Sequence, residues 1–375
     1  RPQPQMRTCA GAINRAGACP VAPAALKRRP IELNGRHLVR SATIQTSDLR
    51  THYLQAGTGE PVILLHGFPE TSYEWRHQIP ALAERYAVFA PDNRGFGGTD
   101  KPEIRVSRSL LAQDVVNVMD ALGIESAAVV GHDWGGIIAF KLAIDWPERV
   151  TRLALLDTLC TVWAQRAVHG YWFKAKPLPE EFFAAYHRQF IEAIFAGTSD
   201  PALPPRPASP WRGGGGVRRW ATAENIEHYA AAFADPASHR AAISYYRYAL
   251  PFHRVIPDAT ATHGERFEAL DEQQVAAMWL HPDGLEQHPL HQESLDYGPE
   301  DRHKRFTKPV LWMMAGAGAS PENEHTIPHG HPFVDQFSRY FPDLRAQRVN
   351  AGHFFPEEAP DVTNAALLRF LAAPS

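Results

Sequence analysis

The chain has 375 residues, of which 44% are hydrophobic and 21% are charged, and its formal net charge at pH 7 is -3. This length and composition allow one large hydrophobic core with an inserted subdomain, without a disulfide or a metal ion for support. The balanced charge does not indicate nucleic-acid binding, no apolar run is long enough to cross a membrane, and three cysteines do not suggest a disulfide framework.

Residues 1–46 differ in composition from the rest of the chain. Their first forty positions hold eight arginines and lysines against a single acid, Glu32, with many alanines and prolines. Such a segment buries little apolar surface, so we expect a disordered basic extension over 1–46. It has no sustained apolar segment of the kind found in secretory signals, and the cysteine count is odd, which favours the cytoplasm. Export of a processed form is the alternative.

From about residue 47, short apolar runs alternate with helical periodicity. This pattern is typical of a mostly parallel sheet with helices on both faces. The predicted strands are 49–54, 62–65, 87–90, 127–131, 153–156, 310–314 and 344–349. An amphipathic helix precedes the fourth strand: apolar side chains from Leu111 to Leu122 recur at a spacing of three or four, and Gly123 supplies its stop.

After Asp157 the strand pattern stops and does not return until Val310. The segment between them is rich in aromatic residues. Its predicted helices are 178–195, 223–233 and 237–249, and its predicted loop is 201–216, which contains four consecutive glycines. We therefore expect four parts: the extension 1–46, a core of 47–159 and 306–375, a helical cap of 160–255, and a polar insert of 256–305. The histidines of the insert match no metal-ligand spacing and favour a solvated loop.

Asp133 is the most informative residue of the predicted core. It lies in Gly131-His132-Asp133-Trp134-Gly135, between an apolar strand and a helical segment. The order small-x-nucleophile-x-small marks a tight turn that presents a nucleophile between a strand and a helix, and its central residue is usually serine. A carboxylate in that place attacks saturated carbon and makes an ester on the protein. Epoxides and carbon-halogen bonds are therefore the expected targets.

Two backbone groups are predicted to stabilise the oxyanion that forms when this ester is hydrolysed. The turn His66-Gly67-Phe68-Pro69 follows another buried strand and offers the N–H of Phe68, and the residue after the nucleophile offers the N–H of Trp134.

Hydrolysis of the ester also needs a base that activates water. His353 follows the last strand and precedes the C-terminal helix predicted at 361–371, which is the place expected for that base. The acid that orients it has two candidate positions. The stretch after the penultimate strand offers only Glu322 and Glu324, whereas Asp157 directly ends the strand after the Asp133 turn. We choose Asp157.

These motifs resemble those of the α/β-hydrolase superfamily, in its branch of epoxide hydrolases and of haloalkane and haloacetate dehalogenases. The resemblance covers residues 47–255 and 306–375. The matching motifs are His66-Gly67-Phe68-Pro69-Glu70, Asp92-Asn93-Arg94-Gly95-Phe96-Gly97, Gly131-His132-Asp133-Trp134-Gly135-Gly136 and Gly352-His353-Phe354. The resemblance implies an α/β-hydrolase fold with an inserted helical cap, and a hydrolase that acts on ether bonds without a metal or organic cofactor.

The same resemblance implies which cap residues act on the leaving group. Tyr246 is in register with the tyrosine that epoxide hydrolases use to donate to the ring oxygen as the epoxide opens. His169 aligns with a histidine that one subgroup uses in place of a second tyrosine, with Tyr171 as the alternative. Tyr171 and Trp172 are predicted to bind the substrate, which the many aromatic residues of the cap indicate to be hydrophobic.

Dehalogenases are the alternative within this resemblance. Fluoroacetate dehalogenases carry arginines for the substrate carboxylate where this chain has Trp134 and Ile137, and a fluoride-binding tryptophan where it has Gly170. An unpaired carboxylate is costly in an apolar pocket, which disfavours a haloacid.

Haloalkane dehalogenases share the tryptophan after the nucleophile but commonly have an asparagine where this chain has Phe68; Trp163 or Trp172 could replace it. The sequence thus predicts a soluble epoxide hydrolase that forms a vicinal diol through an ester on Asp133. Its partner is a small hydrophobic epoxide, or a halogenated compound in the alternative, with no nucleic acid and no membrane.

Overall fold

The computed structural model describes residues 29–33, 37–163, 167–196, 220–293, 295–316 and 332–373. Residues 1–28, the predicted loop 201–216, Glu322 and Glu324 lie outside the described residues. The strands are β1 (Arg29–Leu33), β2 (His37–Gln45), β3 (Arg50–Ala56), β4 (Glu60–Leu65), β5 (Tyr86–Pro91), β6 (Ala127–His132), β7 (Val150–Leu156), β8 (His253–Pro257), β9 (Glu265–Ala269), β10 (Leu295–Asp296), β11 (Val310–Ala315) and β12 (Leu344–Val349).

The helices fall into those that cover the sheet and those that form the cap. They are α1 (Gln78–Leu82), α2 (Arg108–Leu122), α3 (Trp134–Asp145), α4 (His169–Trp172), α5 (Leu178–Ala196), α6 (Ala223–Phe233), α7 (Pro236–Ser244), α8 (Glu272–Trp279), α9 (Pro332–Ser338), α10 (Phe355–Glu358) and α11 (Pro360–Ala372). Short 3-10 helices lie at Ser72–Arg76, Pro147–Arg149, Leu285–Gln287, Pro289–Gln292 and Pro299–Asp301, and a π-helical turn follows α7 at Tyr245–Ala249. None of the described helices is both long and apolar enough to span a membrane.

The main sheet has the order β1-β2-β3-β5-β4-β6-β7-β11-β12. Pairing from β1 to β5 along this order is antiparallel, and from β5 to β12 it is parallel. All seven predicted strands are present, as β3 to β7, β11 and β12. The predicted α2 also ends as expected, because Gly123 takes a φ of 71° and donates its N–H to the last turn.

Apolar side chains are buried on both faces of the central strands, which explains why these strands are continuously hydrophobic. In β4, Ile63 and Leu65 join the core beneath α2, α3 and the cap, whereas Val62 and Leu64 join the core beneath α1 and α11. Successive side chains of a strand point to opposite faces, so one short run contributes to two cores. This burial confirms the predicted fold class.

The prediction of disorder over 1–46 is wrong for the part that the structure describes. Strands β1 and β2 pair with each other, and β2 pairs with β3. Val39 and Ala42 of β2 are buried, although the segment also contains Arg40, Ser41 and Thr43. Composition averaged over 46 residues conceals these few apolar positions, which are sufficient to attach a strand at the edge of a sheet.

The polar insert predicted over 256–305 is also ordered rather than a solvated loop. Strands β8, β9 and β10 form a separate antiparallel sheet. Helix α8 begins with a capping box between Asp271 and Gln274, buries Val275 and Met278, and packs against α4 of the cap. The apolar residues of the insert are too sparse to show a clear period, because each short element buries only one or two of them.

Candidate active site

Asp133 lies at the turn between β6 and α3, in a backbone conformation that is unfavourable for residues other than glycine. Its φ is 48° and its ψ is -116°. The turn is held by hydrogen bonds on both sides: its N–H donates to the carbonyl of Leu156, and its carbonyl accepts from Thr158 Oγ1 at 2.7 Å. A Cβ on Gly135 would lie 2.0 Å from the carbonyl oxygen of Leu65. The motif therefore needs small residues because strand and helix backbones meet here.

The Asp133 carboxylate has partners on both oxygens and still reaches solvent. Oδ1 accepts the backbone N–H of Phe68 at 2.9 Å, and Oδ2 lies 3.6 Å from Nε2 of His353. Its side chain is 22% exposed. Burial raises the pKa of Asp133, but the charges of His353 and His132 and the Phe68 N–H outweigh burial and lower this pKa to about 2. Asp133 is thus ionised at neutral pH and accessible to a reactant.

His353 is placed between two carboxylates. Its Nδ1 lies 2.6 Å from Oδ2 of Asp157, while Nε2 faces Asp133. Asp157 directly follows β7 and has a φ of 40°, and its second oxygen accepts the N–H of Ala315 at 2.9 Å. Burial lowers the pKa of His353, but its contacts with Asp133 and Asp157 raise it to about 9. The structure thus brings the three residues predicted from separate motifs into one row.

The predicted oxyanion donors lie on either side of Asp133. Phe68 already donates its N–H to Oδ1. Trp134 is the first residue of α3, and the first N–H groups of a helix have no partner inside that helix. The turn that carries Phe68 is fixed from behind, because Gly67 donates its N–H to Oε2 of Glu74 at 2.9 Å.

Tyr246 lies in the π-helical turn that follows α7, and its side chain faces the Asp133 turn. Its ring centroid lies 5.0 Å from that of Trp134, 5.5 Å from that of Phe68 and 5.4 Å from that of His169. Tyr246 is 4% exposed. Burial and the charge of Asp133 raise the pKa of its phenol well above the usual value, while a side-chain hydrogen bond from Trp134 opposes the rise. Its proton is therefore retained and available for donation.

His169 faces the same space from α4. Burial lowers its pKa to about 4, and the charges of Asp133 and His353 act on it in opposite directions. The residue as a whole is nevertheless exposed to solvent. His169 is therefore neutral at pH 7 and lies close enough to Asp133 and His353 for their charges to act on it.

Tyr171 and Trp172, which were predicted to bind the substrate, make ring contacts with other residues of the cap and insert, and their role stays a prediction. Tyr171 contacts the rings of Phe252 and His291, and Trp172 contacts Phe173 and two phenylalanines of α5. Residues four apart share a helix face, so the partner of His169 on its face is Phe173. Phe173 stacks on Tyr246, with ring centroids 4.0 Å apart. Helical spacing from His169 was the signal that could have identified Phe173.

A buried charged cluster beneath His353 also escaped the sequence analysis. His132 lies with Nε2 2.9 Å from the backbone carbonyl of His353, and with Nδ1 2.8 Å from Glu74 and 3.2 Å from Glu70. Among the described residues, this is the one group of histidine and acidic side chains spaced closely enough to hold a metal ion. However, burial lowers the pKa of His132 while Glu74 and Glu70 raise it well above its usual value, so ion pairs of an imidazolium with these acids account for the contacts.

Comparison with known proteins extends the match over most of the chain. Residues 60–360 match a family described as alpha/beta hydrolase fold. A soluble epoxide hydrolase of Corynebacterium sp. (strain C12) is 47% identical over 110 residues, which are 29% of this chain and 38% of that protein. Epoxide hydrolase 3 of Siraitia grosvenorii is 34% identical over 237 residues, which are 56% of this chain and 72% of that protein.

The fold is shared with solved structures over almost the whole chain. A protein of Nostoc sp. PCC 7120 that is assigned to the alpha/beta hydrolases superposes with a TM-score of 0.65 and 26% identity. That alignment covers 90% of this chain and 99% of the other. The match to the Corynebacterium protein, by contrast, spans little more than a third of that relative's length.

Proposed function

The chain belongs to the alpha/beta hydrolase family, in the branch of the epoxide hydrolases, and from this premise we propose that it opens an epoxide to a vicinal diol through an ester on Asp133. One observation carries the proposal: an ionised carboxylate, instead of a serine hydroxyl, occupies the strand-to-helix turn, within reach of a backbone donor and a histidine. A carboxylate so placed attacks saturated carbon in line with the bond that breaks.

In the first step, Asp133 forms a bond to one epoxide carbon while the bond from that carbon to the ring oxygen breaks. Tyr246 donates its phenolic proton to the departing oxygen, and His169, which is neutral, shares the stabilisation by a hydrogen bond. Burial disfavours a tyrosinate, so Tyr246 regains a proton. Esterification removes the negative charge of Asp133 that raises the pKa of His353, and His353 is therefore the source of that proton.

In the second step, the now neutral His353 removes a proton from water, and the hydroxide adds to the ester carbon of Asp133. Asp157 stabilises the imidazolium that forms. The N–H groups of Phe68 and Trp134 hold the oxyanion. The bond between the ester carbon and the alcohol oxygen then breaks, the diol leaves with the remaining proton, and the carboxylate of Asp133 and the imidazolium of His353 are restored.

The substrate class follows from the walls around Asp133. Phe68 contacts the rings of Phe173, Phe190, Phe233 and Tyr246. These rings favour a small hydrophobic epoxide over a charged one. The cytoplasmic location and the absence of a nucleic-acid partner are further proposals that depend on composition alone.

A halogenated substrate is less well supported. The indole N–H of Trp163 donates to the carbonyl of Ala167 at 3.0 Å, so it is already used within the cap. Trp163 is thus not free to serve as the second halide donor that a haloalkane dehalogenase would need. The chain also has Trp134 and Ile137 in place of the arginines that would bind the carboxylate of a haloacid.

The test is a single turnover of the wild-type protein with styrene oxide in water labelled with oxygen-18. We expect the first diol to carry unlabelled oxygen, because it comes from Asp133, and the peptide that contains Asp133 to gain the label. His353→Gln should accumulate protein heavier by one substrate mass, and Asp133→Asn should not. Label that appears directly in the diol would contradict the proposal, and no adduct on any variant would favour a binding protein. Halide release from 1-chlorohexane without diol from epoxide would favour the dehalogenase.

A further inference from the structure

A buried lysine of the cap binds the turn that carries Tyr246. Lys174 lies just after α4 and is 3% exposed. Its Nζ donates to three backbone carbonyls: those of Tyr246 at 2.9 Å, Arg247 at 3.0 Å and Leu250 at 2.6 Å. Burial lowers the pKa of Lys174 to about 7. The ammonium form has three N–H donors, and these three carbonyls accept from all of them. The hydrogen bonds of Lys174 thus go to the backbone of a single turn.

This turn needs an external donor because it is the end of a helix. The last carbonyls of a helix have no partner inside it, and the end carries a partial negative charge. In addition, the π-helical turn Tyr245–Ala249 departs from regular α-helical geometry. Lys174 supplies the missing donors from a segment some seventy positions earlier in the chain. Lys174 thus caps the end of this helix from the segment that follows α4.

The contact is reciprocal. Arg247 donates from Nε and Nη2 to the carbonyl of Phe173, at 3.2 and 3.1 Å. Lys174 therefore binds the backbone carbonyls of Tyr246 and Arg247, and the Arg247 side chain binds the backbone carbonyl of Phe173, the residue before Lys174. The ring of Phe173 lies flat on that of Tyr246, with an angle of 8° between the ring planes. A slip of one segment against the other would break these hydrogen bonds and the stack together.

The same contacts fix His169. Phe173 donates its N–H to the carbonyl of His169 at 3.0 Å, so the segment that stacks on Tyr246 also sets the position of the histidine. The two cap groups assigned to the epoxide oxygen are thus tied to one another through Lys174, Arg247 and Phe173. Phe68 and His353, which act on the ester, take part in none of these hydrogen bonds.

We propose that Lys174 is a positioning residue for ring opening: it holds the Tyr246 hydroxyl, and through Phe173 the His169 ring, at the distance from Asp133 that proton donation to the epoxide oxygen requires. The proposal rests on the proposed function, because it assigns Lys174 to one of the two steps. Its consequence is selective. Loss of the lysine donors displaces the groups that act in ring opening and leaves those that act in ester hydrolysis in place.

The experiment is rapid-mixing kinetics with styrene oxide that resolves formation of the Asp133 ester from its hydrolysis. Lys174→Met keeps an unbranched side chain that is one atom shorter and removes its donors. We expect the rate of ester formation to fall about 10- to 100-fold, since misplacement by about 1 Å can cost as much, and hydrolysis to change less than about 2-fold. The matched control is Lys101→Met, because Lys101 also donates to backbone carbonyls, of Gly97 and Thr99, but in the core. It should leave both rates unchanged.

Three results would overturn the assignment. Equal loss in both steps would indicate a structural role alone, as would normal rates with a reduced fraction of active protein. An unchanged rate of ester formation would show that Lys174 does not position Tyr246. If Lys174→Met does not fold, Lys174→Gln, whose amide keeps two donors, should show a smaller loss in the same step only. A wild-type protein that forms no ester would instead refute the proposed function and Lys174's role with it, which distinguishes the two failures.

Discussion

His353 directs Nδ1 at Asp157 over 2.6 Å, and this contact determines which ring nitrogen faces Asp133. With a proton held on Nδ1 by the carboxylate, Nε2 is the nitrogen that exchanges protons with water. The two carboxylates that contact His353 therefore have different roles: Asp157 orients the ring, and Asp133 reacts.

We expect Asp157→Asn to lower the turnover number about 10⁴-fold, because an amide favours the wrong tautomer of the histidine. Asparagine tolerates the positive φ of this position, so the substitution changes charge without adding backbone strain. Only ester hydrolysis should slow, so intact-mass spectrometry should show the Asp133 ester accumulating during turnover. Loss of activity without accumulated ester would contradict the assignment.

A second expectation concerns Tyr246→Phe. The phenylalanine keeps the stack on Phe173 but has no proton to donate, so ester formation from an epoxide should slow about 10²- to 10⁴-fold. Tyr245→Phe is the matched control, because that neighbouring hydroxyl donates instead to the carbonyl of Arg94 in the core. Rapid-mixing kinetics on the two variants would separate them. Equal activity of the two variants would show that Tyr246 packs in the site but does not donate a proton.

The order of motifs along the chain allowed Asp133, Asp157 and His353 to be predicted. Each follows a strand of the parallel part of the sheet, and the carboxyl ends of such strands lie at one edge, so their loops must meet. Phe68 and Trp134 follow from the same reasoning, since the turn that presents the nucleophile also presents its neighbours' N–H groups. These predictions needed only short motifs and the alternation of strand and helix.

The remaining features could not be predicted from the sequence, because they depend on contacts between segments that are distant along the chain. A lysine that caps another helix leaves no local pattern around Lys174. The choice between His169 and Tyr171 depended on which face of a four-residue helix meets Tyr246, and periodicity does not fix a face over so short a length. Strands β1 and β2 were missed for a similar reason: the edge of a sheet buries few side chains.

The charge of Asp133 should be visible in the titration of His353. Its pKa is raised to about 9 by two carboxylates, so Asp133→Asn should lower the pH at which the ring titrates in NMR spectra. This variant imitates the neutral ester and tests whether ester formation lowers the pKa of His353, so that the ring can act as a base.

The raised pKa of His353 also means that His353 stabilises the fold below pH 6.5 and that this stabilisation is lost as the pH rises to about 9. The stability of Asp133→Asn should vary less over that range, and an unchanged titration would contradict the electrostatic coupling.

The last expectation concerns the backbone that presents Asp133. A Cβ on Gly135 would meet the carbonyl oxygens of Leu65 and His66 at 2.0 and 2.7 Å, and neither strand backbone can withdraw as a side chain could. Gly135→Ala should therefore lower the free energy of unfolding by about 3 kcal/mol in denaturant titrations. Gly123→Ala is the control, because a Cβ there meets no atom within 4 Å and only the positive φ is penalised, by about 1 kcal/mol. Similar losses in the two variants would mean that α3 can move away from β4, and such a movement would also carry Asp133 away from the Phe68 N–H.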